Sequence, residues 1–582
     1  MILQNLVFPK ENICNEPELY FHGTTDGKIP AGNEADLFTY FNSFSAYKWK
    51  MYTKIKEVRF RLRCKGSCMV RLWDAGVTDG TMALTENFTS ERHRQADPDE
   101  VSLSFSLADV KGIVYATVRA DSDTEILGGC FETVFEPIQL TKIAIGICTF
   151  RREEFVKKTL ETLKRETMEN PDSPLYQNVY VYVSDNGQTL PCEELSNDRI
   201  FVMPNRNTGG SGGFGRCMKE AYEDREKYGL THILLMDDDI VLEPESLFRT
   251  YTLLNFLKEE RKGAMLGGGL LRLDIPYIQH ANGELWQAGR IGFTKRGYDL
   301  RRMTDVVHNE YNLPMDYNGW WYCCVPLAEQ FRGFPLPVFI HGDDIEYGLR
   351  FDGNIMTMNG IGVWHDAFDN RKASSMEYYD MRNTLIACAI HHPKFSRLRM
   401  IKRVARHLIG QMLHLRVKDQ ELTMKGVEDF CKGTNFLKEL DPTKLHPEIM
   451  KMGYAMQDVS DDLHRFGVEK TKPQPLHLYE DGGFAKKHLL SVNGWLLPAK
   501  KETAVLPMGA HPDALYRRKM ALLYDPDTSR GFYVERKAKD FFVTIGRCFK
   551  MGWLLAGKYK KTVKDFQKNG AELISYDFWK RY

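Results

Sequence analysis

Between Ile233 and Ile240 the chain reads Ile-Leu-Leu-Met-Asp-Asp-Asp-Ile, and few folds can hold such a stretch. Four consecutive apolar residues predict a short buried strand. The three aspartates at its end repel one another, and burying them unpaired is costly. A divalent cation relieves both problems: hard oxygen ligands suit Mg²⁺ or Mn²⁺, which also grip diphosphates. The carboxyl edge of a sheet is where open α/β folds bind ligands. The competing use of an acid here is to cap the helix predicted from Pro244, for which Asp239 or Glu243 alone would serve. A cap needs one acid rather than three, so the triplet points to a metal.

Around this strand the texture is α/β. Lys142-Ile-Ala-Ile-Gly-Ile-Cys-Thr-Phe predicts a buried strand, and Glu153 to Leu163 a helix. Val179-Tyr-Val-Tyr-Val-Ser is a second strand, ending in Asp185-Asn-Gly. Ile200-Phe-Val-Met leads into Thr208-Gly-Gly-Ser-Gly-Gly-Phe-Gly and another helix. Alternating strands and helices imply a mostly parallel sheet with right-handed crossovers. The glycines let backbone approach a ligand at a helix start. They form neither a Walker loop nor a dinucleotide fingerprint. With Asp185-Asn-Gly and the aspartate triplet, they should line one edge of one sheet.

These motifs, Ile145-Gly-Ile-Cys-Thr-Phe-Arg-Arg, Asp185-Asn-Gly, Asn207-Thr-Gly-Gly-Ser-Gly-Gly-Phe and Met236-Asp-Asp-Asp, resemble the inverting, metal-dependent glycosyltransferases of family 2, which have the GT-A fold. Gly319-Trp-Trp, Ile340-His-Gly-Asp-Asp-Ile-Glu-Tyr and Val363-Trp-His are similar to the polymerising galactofuranosyltransferases of mycobacterial galactan synthesis. The resemblance implies that Asp237 and Asp239 hold the cation with His365, beside Asp238. It implies that Arg152, Asn186 and Asn207 bind uridine diphosphate and that Asp344 is the catalytic base. His341-Gly342 departs from the Lys-Trp of the mycobacterial enzymes, which bears on acceptor choice at His341.

The chemistry asks for these residue types independently. A departing diphosphate needs counter-charge. An acceptor hydroxyl is a poor nucleophile and needs a carboxylate to take its proton. Asp343-Asp344 supplies one on a separate element, where one of the two is expected to cap the helix of Ile345-Glu-Tyr-Gly. Trp320 and Trp321 suit either the core or a sugar face. Glu284 and Trp286 belong on the acceptor side.

Outside this core, residues 1–140 predict an all-β domain, a β-sandwich or jelly roll, from alternating strands such as Val58-Arg-Phe-Arg-Leu-Arg-Cys. Asp74-Ala-Gly and Asp79-Gly should punctuate those strands. Residues 141–395 would be the GT-A (Rossmann-like) catalytic domain and 396–582 a mainly helical C-terminal region with a basic tail, giving a multidomain α/β chain. The stretches at Pro473-Gln-Pro and from Pro498 to Pro512 read as loops. From Arg536 to Tyr582 there are twelve Lys/Arg against four Asp/Glu. That bias, with interleaved aromatics, suits either an anionic membrane surface or a helix with a solvated basic face.

The formal net charge of +1 gives no global field for nucleic acid. The twelve cysteines lack zinc-site spacing and read as reduced core thiols. The N-terminus has no signal-peptide pattern and no window is apolar enough to span a bilayer. The expected location is cytoplasmic, peripheral on the inner face of the cell membrane. The expected function is metal-dependent transfer of galactofuranose from a UDP-sugar donor to a glycan or lipid-linked acceptor. The alternatives are another nucleotide sugar, or a carbohydrate-binding scaffold with a silenced transferase domain. Acceptor, linkage and oligomeric state, a homo-oligomer included, are left open.

Overall fold

The computed structural model describes residues 1–78, 81–84, 89–366, 368, 373–468 and 486–581. In the N-terminal region β1 (Glu57–Thr78) alternates as its sequence requires: Val58, Phe60, Leu62 and Cys64 are buried while Arg59 and Arg63 are exposed. One edge of β1 pairs with β2 (Thr89–Ser106). Its other edge pairs first with β4 (Thr124–Glu132) and then with β3 (Gly112–Ala120). The change of partner falls at Gly66, whose φ of 106° is left-handed and whose added Cβ would lie 2.4 Å from the Asp123 carbonyl. Among the described residues, the eight strands of the region join one hydrogen-bonded system rather than two separate sheets.

Asp74-Ala-Gly is not a turn but continues β1. The Asp74 carboxylate accepts from the Lys111 and Gly112 amides at 2.8 and 2.9 Å, pinning the start of β3 to its neighbour. A Cβ on Gly112 would stand 1.7 Å from the Ala75 carbonyl, so the glycine serves close strand approach. Asp79 lies outside the described residues.

The middle region is the expected α/β unit. Strand β5 (Ile143–Thr149) leads to α1 (Glu153–Leu163), β6 (Val179–Asp185), β7 (Ile200–Pro204), α2 (Gly209–Tyr228) and β8 (His232–Asp237). Helix α3 (Pro244–Asn255) follows, then β9 (Met265–Gly267), the hairpin β10 (Glu284–Trp286) and β11 (Ile291–Phe293), and β12 (Cys323–Pro326). Next come α4 (Asp343–Leu349), β13 (Ile355–Met356), β14 (Gly362–His365) and α5 (Met376–His391). The seven-stranded sheet runs β7-β6-β5-β8-β12-β9-β13, with β7, β6, β5 and β8 parallel and β12 antiparallel to β8 and β9. The strand order reverses between β5 and β8, so their carboxyl ends open a crevice. Asp237 stands there, in register with Cys148.

The N-terminal and middle regions share one hydrophobic core, which runs from Leu3 through Phe131 to Trp364. Its polar centre is Arg249 on α3, fully buried. Arg249 Nε lies 3.1 Å from Glu245, and its Nη2 donates to the carbonyls of Asn5 (3.0 Å) and Phe41 (2.8 Å). Glu245 in turn accepts from the Asn5 amide at 2.7 Å. Removing one member strands a buried charge. Arg249→Met is therefore expected to cost about 3–5 kcal/mol, read as a lowered midpoint of thermal unfolding; an unchanged midpoint would show that the junction carries little stability.

The C-terminal region contains α6 (Arg397–Leu413) and the long α7 (Ala538–Asn569), as its periodicity predicts. It also contains a four-stranded sheet that the sequence reading omits, built from Gln457–Asp458, Lys500–Pro507, Arg518–Asp525 and Arg530–Glu535. The stretch from Pro498 to Pro512 is thus not all loop: Lys500–Pro507 pairs in parallel with Arg518–Asp525. Prolines at its flanks hid a strand whose Ala504 is buried. Pro473-Gln-Pro lies outside the described residues. All twelve cysteines are free thiols, each buried or half-buried.

Candidate active site

The aspartate triplet turns away from β8 and continues into Val241–Leu242, which pairs with β14. That pairing brings His365, at the end of β14, to the triplet: His365 Nε2 lies 3.0 Å from Asp239 Oδ1. His365 Nδ1 donates to the Asp366 carbonyl at 2.6 Å, which fixes Nδ1 as the protonated nitrogen and turns Nε2 toward the acids. Asp238 is already engaged, accepting from Thr149 Oγ1 at 2.7 Å and from Arg152 Nη1 at 3.0 Å. Arg152 Nη1 also stands 2.6 Å from Asp239. The helix cap is supplied elsewhere, by Glu243, whose carboxylate accepts from the Glu245 amide.

Burial, then the charges of Asp239 and Asp238, push Asp237 up to about 6. Burial opposes protonation of His365, but Asp239 outweighs it and raises the imidazole. The protein's cations thus neutralise the triplet only in part. Among the described residues no set of three or more His, Cys, Asp or Glu is already gathered as a metal site. What is gathered is Asp239 with His365, and Asp237 within electrostatic reach of both. Two hard oxygens and an imidazole, crowded and under-neutralised, are a donor set that fits a divalent cation.

The residues expected to meet a nucleotide divide. Asn186 follows β6 and is buried, its amide donating to the Gly209 carbonyl at 2.9 Å while its oxygen accepts from Asn205 at 2.8 Å. Asn207 is half-buried and accepts from the Gly209 amide at 3.1 Å. Both therefore shape the turn that opens α2. Gly209 has φ 70°, and a Cβ there would sit 2.2 Å from the Phe339 carbonyl, so this turn packs directly against the segment leading to α4.

That segment carries the second acidic pair. Gly342, with φ 76°, occupies the N-cap of α4, and no side chain caps the helix. The expectation that one of Asp343 and Asp344 caps is therefore corrected. A left-handed glycine takes the position, which places both acids inside the first turn. Asp344 Oδ1 accepts from the adjacent Ile345 amide at 2.8 Å. Burial and the charge of Asp344 raise Asp343, and burial raises Asp344. Glu346, one turn on, is the opposite case. Burial works against its charge, yet Arg350 and His391 outweigh it and hold it down to about 2, which makes it a poor base.

Helix α5 fixes this loop. Asn383 Nδ2 donates to the carbonyls of Ile340 (2.8 Å) and His341 (2.6 Å), and Asp380 lies 2.8 Å from His341 Nδ1. Burial opposes the charge on His341, but Asp380 outweighs it and the imidazole is pushed up to about 9. Its side chain is 43% exposed, so the direction rests on the Asp380 pair. Asp380, Asn383 and Thr149 carried no signal in the sequence, since a polar residue on a helix or strand end declares no partner.

Of the residues expected on the acceptor side, Glu284 is buried and accepts from the Tyr317 hydroxyl at 2.6 Å. Asp316 accepts from the Trp286 amide at 2.7 Å, and Trp286 stacks on His392. Trp321 is buried with its indole N–H donating to the Gly268 carbonyl at 2.9 Å. Trp320 packs edge-on against Phe214 and Tyr347, and its indole N–H is buried without a hydrogen-bond partner. The charge of Asp344 acts on Asp237 and on Glu284 alike, so acids from three distant segments lie within electrostatic reach of one another.

Burial pushes Glu284 up to about 7. Its folded value exceeds its unfolded one, so its contribution to stability is complete below about pH 4 and is lost as pH rises through 7. Glu284→Gln keeps an acceptor for Tyr317 and never ionises. The variant should gain stability over the parent between pH 5.5 and 8.5, by an amount on the order of 3 kcal/mol at most. Thermal unfolding at both pH values checks this; a pH-independent difference would contradict it.

Residues 6–133 match the family described as galactofuranosyltransferase 2 N-terminal, and residues 144–301 match glycosyl transferase family 2. The second match contains the aspartate triplet and ends before Asp344 and His365. The chain is similar to galactofuranosyltransferase GlfT2 of Mycobacterium tuberculosis, 27% identical over 78% of this chain and 73% of that protein. It is similar to the same enzyme of Mycolicibacterium smegmatis, at 26% over 77% of this chain and 71% of that one. Overlap with a solved Clostridium thermocellum xylanase 10B covers 39% of this chain and 56% of that one at 9% identity and a TM-score of 0.15, too slight to indicate a fold. The chain is accordingly a glycosyltransferase, with a family 2 transferase domain set behind a domain of the galactofuranosyltransferase 2 N-terminal family.

Proposed function

We propose that this enzyme transfers galactofuranose from UDP-galactofuranose, with inversion, to a hydroxyl of a glycan or lipid-linked glycan. The observation that carries the reading is that His365 meets Asp239 at 3.0 Å while Asp237, Glu284 and Asp344, from three distant segments, lie within electrostatic reach of one another. The names of both relatives support the choice of donor sugar. Asp237, Asp239 and His365 would hold Mn²⁺ or Mg²⁺, whose charge offsets that of the leaving diphosphate.

The chain's own residues do the rest. Arg152, at the start of α1 and now paired with Asp238 and Asp239, would offer its guanidinium to the nucleotide's phosphates. Asn207 and Asn186 hold the α2 turn against which the nucleotide would lie. Asp344 takes the proton from the acceptor hydroxyl as the sugar's anomeric carbon is attacked from the face opposite the diphosphate. Its raised affinity for a proton, caused by burial, suits a base that works near neutral pH. Glu284, Asp343, His341 and the Trp320–Trp321 pair frame the sugars. A lipid-linked acceptor would bring the enzyme to the membrane surface where such glycans are extended.

The test is a panel of UDP-sugars offered to the purified chain, with UDP release measured with and without EDTA. UDP-galactofuranose should be turned over fastest and EDTA should stop it. Faster release from another donor would overturn the sugar assignment, and full activity in EDTA the metal.

A further inference from the structure

The helix Met303–Glu310 ends in Asn309-Glu310, and both side chains are buried beside Ser45 of the N-terminal region. Asn309 Oδ1 accepts from Gln279 Nε2 and from Asn282 Nδ2, each at 2.9 Å. Its Nδ2 donates to Asn359 Oδ1 at 2.7 Å, and its carbonyl accepts from Lys295 Nζ at 2.6 Å. Glu310 Oε1 accepts from Ser45 Oγ and from the Asn359 amide, both at 2.7 Å. Lys295 and Lys48 are buried here as well. Burial and the charge of Lys48 push Lys295 well below the ordinary lysine range, against the pull of Glu310.

These partners belong to the elements that carry Glu284 and His365. Asn282 lies just before β10 and Lys295 just after β11, so Asn309 grips both ends of that hairpin. Asn359 leads into β14, whose last residue is His365. Strand β14 is paired on both edges, with Val241–Leu242 and with Gly269–Arg272. The hairpin pairs as a two-stranded sheet of its own and bridges to the body at Tyr317. It is the looser partner, so the bonds to Asn309 set where it lies. Buried polar groups are costly to place and stiffen what they join once they satisfy one another.

We propose that Asn309 and Glu310 are positioning residues for transfer: they set the Glu284 hairpin against the strand of His365, and the N-terminal region completes them through Ser45 and Lys48. The inference rests on the proposed place of Glu284 beside the acceptor. It gives the N-terminal region a part in the reaction through buried contacts. Ser45 secures Glu310, Glu310 secures the Asn359 amide, and Asn359 secures Asn309. A shift of the hairpin would move Glu284 relative to Asp344. The metal-side residues would stay, because β8 and β14 are each paired on both edges. Acceptor handling and nucleotide binding should therefore respond differently to a break in this network.

The experiment compares the parent chain with Asn309→Leu and Ser45→Ala. Leucine fills the space of asparagine and makes none of its side-chain hydrogen bonds. Alanine removes a single bond to Glu310, too small a change to unfold the chain. Asn309→Leu should raise the acceptor KM about tenfold or more, with UDP affinity in Mn²⁺ unchanged. Ser45→Ala should shift the acceptor KM the same way by a smaller factor. A second readout needs no acceptor. A loosened hairpin lets water reach Glu284, so the stability that Glu284→Gln gains as pH rises should shrink in the Asn309→Leu background. If Asn309→Leu does not fold, Ser45→Ala carries both readouts. An acceptor KM unchanged in the folded variants would overturn the proposal, since a merely structural role lowers only the thermal midpoint. So would an undiminished pH-dependent gain, or a loss of UDP affinity in step with the acceptor. A parent chain that transfers no sugar would refute the proposed function, and the pH readout would still decide the positioning.

Discussion

Asp344→Asn should turn over its acceptor roughly 10²–10⁴ times more slowly than the parent chain, the usual worth of a general base, while binding UDP as tightly. Asparagine keeps the shape and can still accept from the Ile345 amide, so α4 should fold as before. It cannot take a proton at neutral pH. In the parent, turnover should fall as pH drops and be half lost well above the ordinary carboxylate range, because burial raises Asp344 and the base must be ionised to act. Asp343→Asn should keep most of the rate. Removing its neighbour's charge makes Asp344 easier to ionise, so the loss of activity should move to lower pH. Single-turnover measurement of both variants decides the matter. A slower Asp343→Asn would move the base to Asp343, and small equal losses would remove the role from the pair.

The second large effect concerns Asp237 and Asp239. Alanine at either position should abolish transfer and weaken UDP binding in Mn²⁺, because the diphosphate loses the cation that offsets its charge. His365→Ala should act in the same direction less severely, since it removes a neutral ligand and leaves both carboxylates. Without metal the ranking changes. Asp237→Ala should leave the thermal midpoint unchanged or raise it at pH 8, since it relieves a carboxylate that burial and its neighbours push up to about 6. Titration of UDP calorimetrically with and without Mn²⁺ measures the first claim. UDP affinity indifferent to Mn²⁺ in the parent chain would sink it.

Much of this site could be read from the chain because each residue type sits where its chemistry is expensive to waste. Three aspartates after Ile-Leu-Leu-Met have no cheap structural use, and Glu243 does supply the cap they would otherwise be needed for. The strands β5, β6 and β8 were equally plain, since continuous apolar runs bounded by Gly and Asp have few other uses. What could not be read were long-range partners. Nothing in the sequence says that Asp380 finds His341 or that Thr149 finds Asp238. The capping role assumed for Asp343 or Asp344 was wrong for a local reason: Gly342 adopts a left-handed conformation and occupies the position itself. In the C-terminal region, prolines around Lys500–Pro507 masked a strand whose pairing comes from Arg518–Asp525, a non-local partner.

The shared core has a consequence for how the polypeptide comes into being. Phe41 packs 5.7 Å from Trp364, and the Tyr40 hydroxyl donates to the Ile361 carbonyl. The first 133 residues therefore lack part of their interior until translation passes position 364. At about 5–20 residues per second that interval lasts on the order of 10–50 s. During it the nascent β-strands need shelter by chaperones or by the ribosome surface. Grafting this N-terminal segment onto an unrelated transferase should yield an insoluble chimaera, and recombination between homologues should succeed only when the crossover falls after Trp364.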